Sequence, residues 1–182
     1  DGKLVGPSLA GPWSSRLFTT NEAAQILRCP SDLELPPSTE RDPDLARPEA
    51  PRSYVMNGYS DFFIERLPPS LYQLYRGGRY EVALPESQVQ RPSATILCGE
   101  KQTERADPYV DLFLPNEGYL QVIEESRHPR ARQESQTGAS NYAMADGSVQ
   151  SFDFGRATCP VNTWAITDMW RTNAAFCRPR FQ

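Results

Sequence analysis

The stretch Asn141-Tyr142-Ala143-Met144-Ala145-Asp146-Gly147-Ser148-Val149 contains the strongest local structural signal of the sequence. A two-residue hairpin turn needs positive φ at both central positions, and Asp followed by Gly suits that need. The pattern therefore predicts a β-hairpin with strands over 141–145 and 148–154. With a two-residue loop, one face carries Tyr142, Met144 and Val149, and the other carries Ala143, Phe152 and Phe154. Apolar residues on both faces indicate a hairpin that is covered on both sides.

Outward from this hairpin, the sequence alternates short structured segments with turns. A helix start is predicted at Thr19, because Thr19 and Glu22 have capping-box spacing, and Pro30 ends that helix. A second helix is predicted over 69–76, with Pro69 in its first turn and Gly77 after its end. Further strands are predicted over 53–59, 80–84, 95–98, 109–114 and 119–123.

The chain has 182 residues, which fits a single domain spanning 1–182, and its 17 prolines predict much irregular structure. The stretch 36–52 is rich in proline and charge, which is typical of a surface loop. The C-terminal stretch 156–182 contains Trp164, Trp170 and Phe176. Their large apolar surface predicts a tail that packs on the domain.

The charge balance bears on the partners of the protein. The formal net charge is -4, and the basic residues of 127–132 are flanked by glutamates, so the sequence does not indicate nucleic-acid binding. No stretch has the ~20 consecutive apolar residues of a membrane-spanning helix. The sequence as printed is therefore expected to be a soluble piece.

The four cysteines, Cys29, Cys98, Cys159 and Cys177, show no CxxC spacing, and His128 is the single histidine. A zinc site of the common kinds is therefore not predicted. In an oxidising compartment Cys159 and Cys177 would close a loop of a length for which a disulfide contributes about 3 kcal/mol. Free buried thiols are the alternative.

Two constellations are candidates for chemistry. His128, Asp146 and one of Ser126, Ser140 or Ser148 have the residue types of a hydrolase triad. The sequence lacks the Gly-x-Ser-x-Gly elbow, so catalysis is not predicted. Calcium accepts scattered oxygen ligands, and the residues considered for it are Asp107, Asp111, Asp146 and Asp153, although they lack EF-hand spacing.

Several motifs occur in a recognisable order along the chain. They are Cys29-Pro30-Ser31-Asp32, 53–58, 93–100 with its final Gly99-Glu100, Arg127-His128, and Asn141 followed by Asp146-Gly147-Ser148-Val149. In this order they resemble the prepilin-type processing-associated H-X9-DG proteins, a pseudopilin-like family related to the major pseudopilin of type II secretion. The resemblance covers about residues 25–155. The family name implies nine residues between the histidine and Asp-Gly, whereas this chain has the longer insertion 129–145.

The resemblance implies a pilin-like α+β fold, with an N-terminal helix, largely outside this chain, on an antiparallel sheet with long irregular loops. It also implies a non-enzymatic structural or assembly protein, outside the cytoplasm in the periplasm or at the cell surface. That protein would be anchored in the inner membrane or a filament and would contact other pilin-like subunits or secretion components. The signature residues carried over are His128, Asn141, Asp146 and Gly147, with a structural role and no cofactor.

A second functional hypothesis is an extracytoplasmic module that binds a glycan or a peptide. It rests on Trp13, Trp164 and Trp170, together with eight tyrosines, because such side chains suit stacking and interface contacts. The exposure of the tryptophans decides between this hypothesis and core packing.

Overall fold

The computed structural model describes residues 3–5, 25–33, 52–80, 82–105, 107–115, 118–129 and 138–177. The strands in these ranges are β1 (Lys3–Val5), β2 (Tyr54–Asn57), β3 (Ala83–Pro85), β4 (Ile96–Glu100), β5 (Tyr109–Val110), β6 (His128–Pro129), β7 (Gly138–Met144) and β8 (Val149–Asp153). The α-helices are α1 (Ser60–Arg66), α2 (Pro69–Arg76), α3 (Gly118–Val122) and α4 (Asp168–Arg171). The 3₁₀ turns are Gln25–Leu27, Glu86–Gln88, Pro92–Ala94 and Ala174–Phe176.

The main sheet has the order β5-β2-β4-β7-β6, with β8 also paired to β7, and β1 pairs β3 separately. Every pair is antiparallel except the parallel pair of β2 and β5. In this register Glu100 lies opposite Tyr54, Gly99 opposite Tyr142, and His128 opposite Ala139. The chain thus combines helices with a mostly antiparallel sheet, which agrees with the expected α+β class.

Two apolar clusters form the core of the part of the chain that the structure describes. One contains Ile96, Met144 and Trp164, and the other contains Tyr59, Phe63 and Tyr75. The adjacent residues Ile96 and Leu97 contact different clusters, as expected when neighbouring strand residues point to opposite faces. The middle of the sheet is therefore covered on both sides.

The described part of the C-terminal stretch, 156–177, contributes to this core, as its aromatic content predicts. Trp164 and Phe176 are buried, whereas Met169 of α4 is exposed. The side-chain amide of Asn57 donates to the carbonyls of Ile96, at 2.8 Å, and of Trp164, at 2.7 Å. One buried amide therefore ties the tail to strands β2 and β4.

The predicted hairpin is present, but its loop is one residue longer than expected. Gly147 N–H donates to Met144 O at 3.0 Å, and Met144 N–H donates to Ser148 O at 2.8 Å. Gly147 has φ +85°, the left-handed conformation that ends a three-residue hairpin loop. The loop is therefore 145–147.

This extra loop residue corrects the predicted distribution of side chains, because a one-residue shift of register exchanges the two faces of a strand. Val149 lies opposite Ala143 and is 71% exposed, so it does not share the face of Tyr142. Phe152 lies opposite Ser140 and stacks on Tyr142, with 5.3 Å between the ring centroids. Both assignments made for a two-residue loop were wrong.

Among the other segments, helix α2 has the predicted bounds, and strands β2 and β4 lie where predicted, with β4 extending to Glu100. The strand predicted over 119–123 is wrong, since Gly118–Val122 is helix α3. Packing of its apolar residues into the core outweighs their strand propensity there. The strands predicted over 80–84 and 109–114 are reduced to β3 and β5.

Some predictions concern residues outside the described ranges. The helix start predicted at Thr19 lies outside them, and so does the predicted surface loop 36–52 apart from its last residue. That residue, Arg52, is described and is buried. Within the described ranges, no helix has the length and apolar character to cross a bilayer.

The predicted pairing of Cys159 with Cys177 is confirmed, with 4.6 Å between the Cα atoms. Cys29 and Cys98 are free thiols. Since disulfides persist in oxidising environments, the bridge indicates a location outside the cytoplasm.

Candidate functional site

A cluster of polar side chains lies where strand β4 ends beside the beginning of β7. We call it the polar cluster, and it consists of Cys29, Ser31, Asp32, Glu100, Arg127 and His128. Its members come from three of the motifs that carry the family resemblance. The sheet register therefore joins segments that are far apart in the sequence.

Glu100 is at the centre of the polar cluster and is 0% exposed. Its Oε2 accepts the backbone N–H of Asn141 at 2.9 Å, just beyond the registered pair of Gly99 and Tyr142. Its Oε1 lies 2.9 Å from His128 Nε2 and 3.8 Å from Arg127 Nε. A buried carboxylate is tolerated only with such partners, so Glu100 depends on β6 and β7 for its stability.

His128 presents its two ring nitrogens to different groups. Nε2 lies 2.9 Å from Glu100 Oε1 and 3.8 Å from Cys29 Sγ, and Nδ1 lies 3.3 Å from Ser31 Oγ. With the proton on Nε2, the ring donates to Glu100 and Nδ1 accepts the Ser31 hydroxyl. Nε2 then has no free lone pair, so it cannot take a proton from the Cys29 thiol. In this tautomer the arrangement differs from an activated nucleophile with its base.

The Cys29-Pro30-Ser31-Asp32 segment forms a turn that is fixed against strand β2. Asp32 N–H donates to Cys29 O at 2.9 Å, and Cys29 N–H donates to Ser53 Oγ at 2.9 Å. Ser53 N–H donates in turn to Leu27 O at 2.8 Å. These bonds hold the Cys29 thiol and the Asp32 carboxyl in the buried interior.

Arg127 links this turn to the sheet. Its side chain is 7% exposed, and its Nη1 lies 2.9 Å from Asp32 Oδ1. Thr103 Oγ1 donates to the same oxygen at 2.6 Å, and Arg127 Nη2 donates to the carbonyl of Lys101. A buried ion pair of this kind loses much stability when one partner is removed, because the other charge is then left uncompensated.

The surroundings of the polar cluster change the ionisation of two neighbours. Burial, together with the positive charges of Arg52 and Arg127, lowers the pKa of Lys101 to about 8. Burial, followed by the charges of Cys29 and Glu100, raises the pKa of Tyr54 to about 12. Charged groups at this end of the sheet therefore change one another's pKa values.

The signature residues separate into two places. His128 and Asn141 meet through Glu100, although Asn141 contributes its backbone N–H and its side chain is exposed. Asp146 and Gly147 lie in the hairpin loop, about 20 Å along the strand from the partner of His128.

The serines and the aspartate of the proposed triad are engaged elsewhere. Asp146 Oδ1 accepts the N–H and the hydroxyl of Ser148, at 2.9 and 2.7 Å, and these bonds lower the Asp146 pKa. Ser126 Oγ donates to Glu124, and Ser140 Oγ accepts the Arg127 N–H. The structure therefore does not bring the three proposed groups together, and His128 faces Glu100, Cys29 and Ser31 instead.

Two of the aspartates considered for calcium, Asp107 and Asp111, line one cleft, but each is paired with an arginine. Asp107 pairs with Arg105 at 2.9 Å, and Asp111 pairs with Arg76 at 2.6 Å. Asp153 lies in β8 opposite Ala139. The group of potential metal ligands that the described residues do form is Cys29, Glu100 and His128, whose ligand atoms lie within 4.8 Å of one another.

A cleft of about 520 Å³ lies between the end of helix α2 and strand β5. Arg76 and Asp111 form an ion pair in its wall, and Tyr75, Tyr109 and Ser60 also line it. The tryptophans are not part of its lining: Trp164 is fully buried, and Trp170 packs edge-to-face on Phe113 and Phe176. Trp13 is outside the described residues.

Sequence reasoning missed Cys29, Ser31, Asp32, Glu100 and Arg127 as site residues. These residues belong to the motifs that carry the resemblance, and this was the available signal. Their spacing in the sequence does not indicate that they lie together in the fold. Comparisons with family models, with curated proteins and with solved structures found no match.

Proposed function

We propose that this chain is the exported domain of a pilin-like, pseudopilin-related protein that acts as a structural or assembly component of the bacterial envelope. The observation that carries the proposal is the meeting of three signature segments in the polar cluster. There, His128 and Arg127 stabilise buried carboxylates of the fold. A histidine that donates to the buried Glu100 carboxylate supports a structural role, which suits a subunit without catalytic activity.

Two further features support this proposal. The Cys159–Cys177 disulfide suits a domain in the periplasm or at the cell surface. The antiparallel sheet with helices is compatible with the α+β fold that the resemblance implies. In this proposal an apolar N-terminal helix, cut by a prepilin peptidase, anchors the domain in the inner membrane or in a filament with other subunits.

The proposal is tested with the complete gene expressed in its natural host and in a strain without prepilin peptidase. We expect a basic leader and an apolar segment of ~20 residues upstream, and a mature form that is shorter in the parent strain. We also expect the mature protein in the membrane or filament fraction. A gene without these upstream features, or identical protein length in both strains, would contradict the proposal.

A second candidate function, a module that binds a peptide or glycan, is favoured by the cleft between α2 and β5. An Arg76–Asp111 pair within a concave surface gives both charge and hydrogen-bond partners to a ligand. The tryptophan-based form of this hypothesis does not apply to Trp164, which is buried. A panel of peptides and glycans, measured by calorimetry on the wild type and on Arg76→Gln, tests it. Binding that is equal in both proteins, or absent from the panel, would contradict it.

A further inference from the structure

We infer that Cys29, Glu100 and His128 form a site for a borderline-soft divalent cation, with Zn²⁺ as the expected ion. These three side chains offer a thiolate sulfur, a carboxylate oxygen and an imidazole nitrogen, which are the three donor types that zinc takes in proteins. The inference uses the same polar cluster as the proposed envelope function but does not rest on that function.

Two of the three distances between the ligand atoms are close to those around a tetrahedral ion, and the third, from Cys29 Sγ to the Glu100 carboxylate, is within 4.8 Å. Zinc bonds of about 2.0–2.3 Å place neighbouring ligands about 3.3–3.8 Å apart. Cys29 Sγ and His128 Nε2 are separated by 3.8 Å, and the Nε2 to Glu100 Oε1 distance is 2.9 Å. The carboxylate and the imidazole thus need to separate by only about 0.5 Å to admit the ion.

The surroundings of the ligands are also those of a metal site. A ligating histidine usually donates its second N–H to a neighbouring oxygen, and Ser31 Oγ lies 3.3 Å from His128 Nδ1. Asn141 N–H fixes the second oxygen of Glu100 at 2.9 Å. Cys29 and Glu100 are buried, whereas His128 is 30% exposed, which leaves a route from solvent to the ligands.

The charges of the polar cluster balance when a divalent cation is bound. Asp32 and Arg127 form an ion pair and cancel each other. The Cys29 thiolate and the Glu100 carboxylate then neutralise the two positive charges of the ion. On binding, the thiol releases its proton to solvent, and the His128 proton resides on Nδ1, where it donates to Ser31. One proton is therefore released for each ion bound.

The inference is tested by equilibrium dialysis of the tag-free chain against chelator-buffered Zn²⁺, with metal content measured by mass spectrometry. We expect one zinc per chain. Cys29→Ser and His128→Gln should each weaken binding more than about 100-fold, and Ser31→Ala about 10-fold through loss of the imidazole's partner. The matched control is Cys98→Ser, because Cys98 is the other free thiol and is not among the three ligands, so its affinity should equal the wild-type value.

Cobalt provides a spectroscopic readout, and its result for the wild type does not depend on the folding of any variant. Co²⁺ added to the wild type should give thiolate-to-metal absorption in the near ultraviolet, and this absorption should be retained in Cys98→Ser and lost in Cys29→Ser. Zinc affinity that is the same in Cys29→Ser and in the wild type would overturn the inference. So would the absence of the thiolate band from cobalt-loaded wild-type protein.

Discussion

The two ends of strand β7 are stabilised in different ways. Near its beginning, His128 pairs with Ala139 and contacts Cys29, which is 99 positions away in the chain. At its other end, the hairpin is closed by hydrogen bonds between Asp146 and Ser148, two positions apart. The first end depends on tertiary contacts between distant segments, and the second depends on local backbone preference.

This difference determines the size of the effect of a substitution. At the polar cluster the charges are buried, so removing one partner leaves another without compensation. At the hairpin the side chains are exposed and water replaces lost hydrogen bonds. We therefore expect effects to decrease from the polar cluster, through the middle of the sheet, to the hairpin.

The largest effect is expected for Arg127→Ala, which leaves the buried Asp32 carboxylate without its ion-pair partner. The free energy of unfolding should fall by about 3–5 kcal/mol. The matched control is Arg91→Ala, since the Arg91–Asp168 pair is 54% and 65% exposed and should contribute less than about 1 kcal/mol. Urea denaturation of both variants measures the difference. Equal losses would show that burial does not determine the stability of these pairs.

A second effect is expected from pH at Lys101. Its ordinary pKa of 10.5 is lowered to about 8 in the folded chain. Between these values the unfolded chain binds more protons than the folded chain, so stability rises with pH. Below about pH 8 the folded chain contains a buried charge, and this cost is relieved as the pH approaches 10.5. The relief is at most on the order of 3 kcal/mol.

The measurement is the unfolding free energy of the wild type minus that of Lys101→Met, from pH 7 to 10.5. This difference should increase with pH, because methionine does not titrate. Cys98 contributes in the opposite direction, because burial raises its pKa to about 12. Subtracting the unfolding free energy of Lys101→Met removes this contribution, since both proteins contain Cys98. The arginine of Lys101→Arg stays charged over this range. The difference in unfolding free energy between Lys101→Arg and Lys101→Met should therefore not change with pH. If the difference between the wild type and Lys101→Met did not change with pH, the lowered pKa of Lys101 would be contradicted.

An intermediate effect is expected for Gly99→Ala, in the middle of the sheet. A Cβ at Gly99 would lie 2.7 Å from Tyr142 Cδ1 and 2.9 Å from Trp164 Cζ2. Both rings are buried and cannot move freely, so the extra methyl should cost about 1–3 kcal/mol. Gly77→Ala is the control, because its nearest contact is an ordinary 3.5 Å at negative φ. Thermal unfolding of the two variants should give a lower Tm for Gly99→Ala alone.

The same comparison explains how much the sequence predicts. The hairpin position follows from Asp146-Gly147, because its determinant is local. Its loop length does not, since Ala145 can either pair or join the loop, and strand pairing decides the outcome. The polar cluster was not predicted, because Glu100 and His128 meet through the pairing of β4 with β7 and of β6 with β7, and Cys29 is held beside them by the turn bonded to Ser53. Helix α3 was missed because core contacts outweigh the strand propensity of its residues.

The smallest effect is expected at the hairpin itself, for Gly147→Ala. Gly147 has φ +85° and no heavy atom within 4 Å of an added Cβ, so the substitution meets no steric contact outside its own backbone. The cost is then the left-handed conformation alone, roughly 1–2 kcal/mol for alanine. Asparagine tolerates this conformation better, so Gly147→Asn should lose less stability than Gly147→Ala. Chemical denaturation of both variants separates them.

If Gly147→Ala were as damaging as Arg127→Ala, the hairpin would be held by tertiary contacts as the polar cluster is. If Gly147→Asn and Gly147→Ala were equal, backbone preference would not be what closes the three-residue loop.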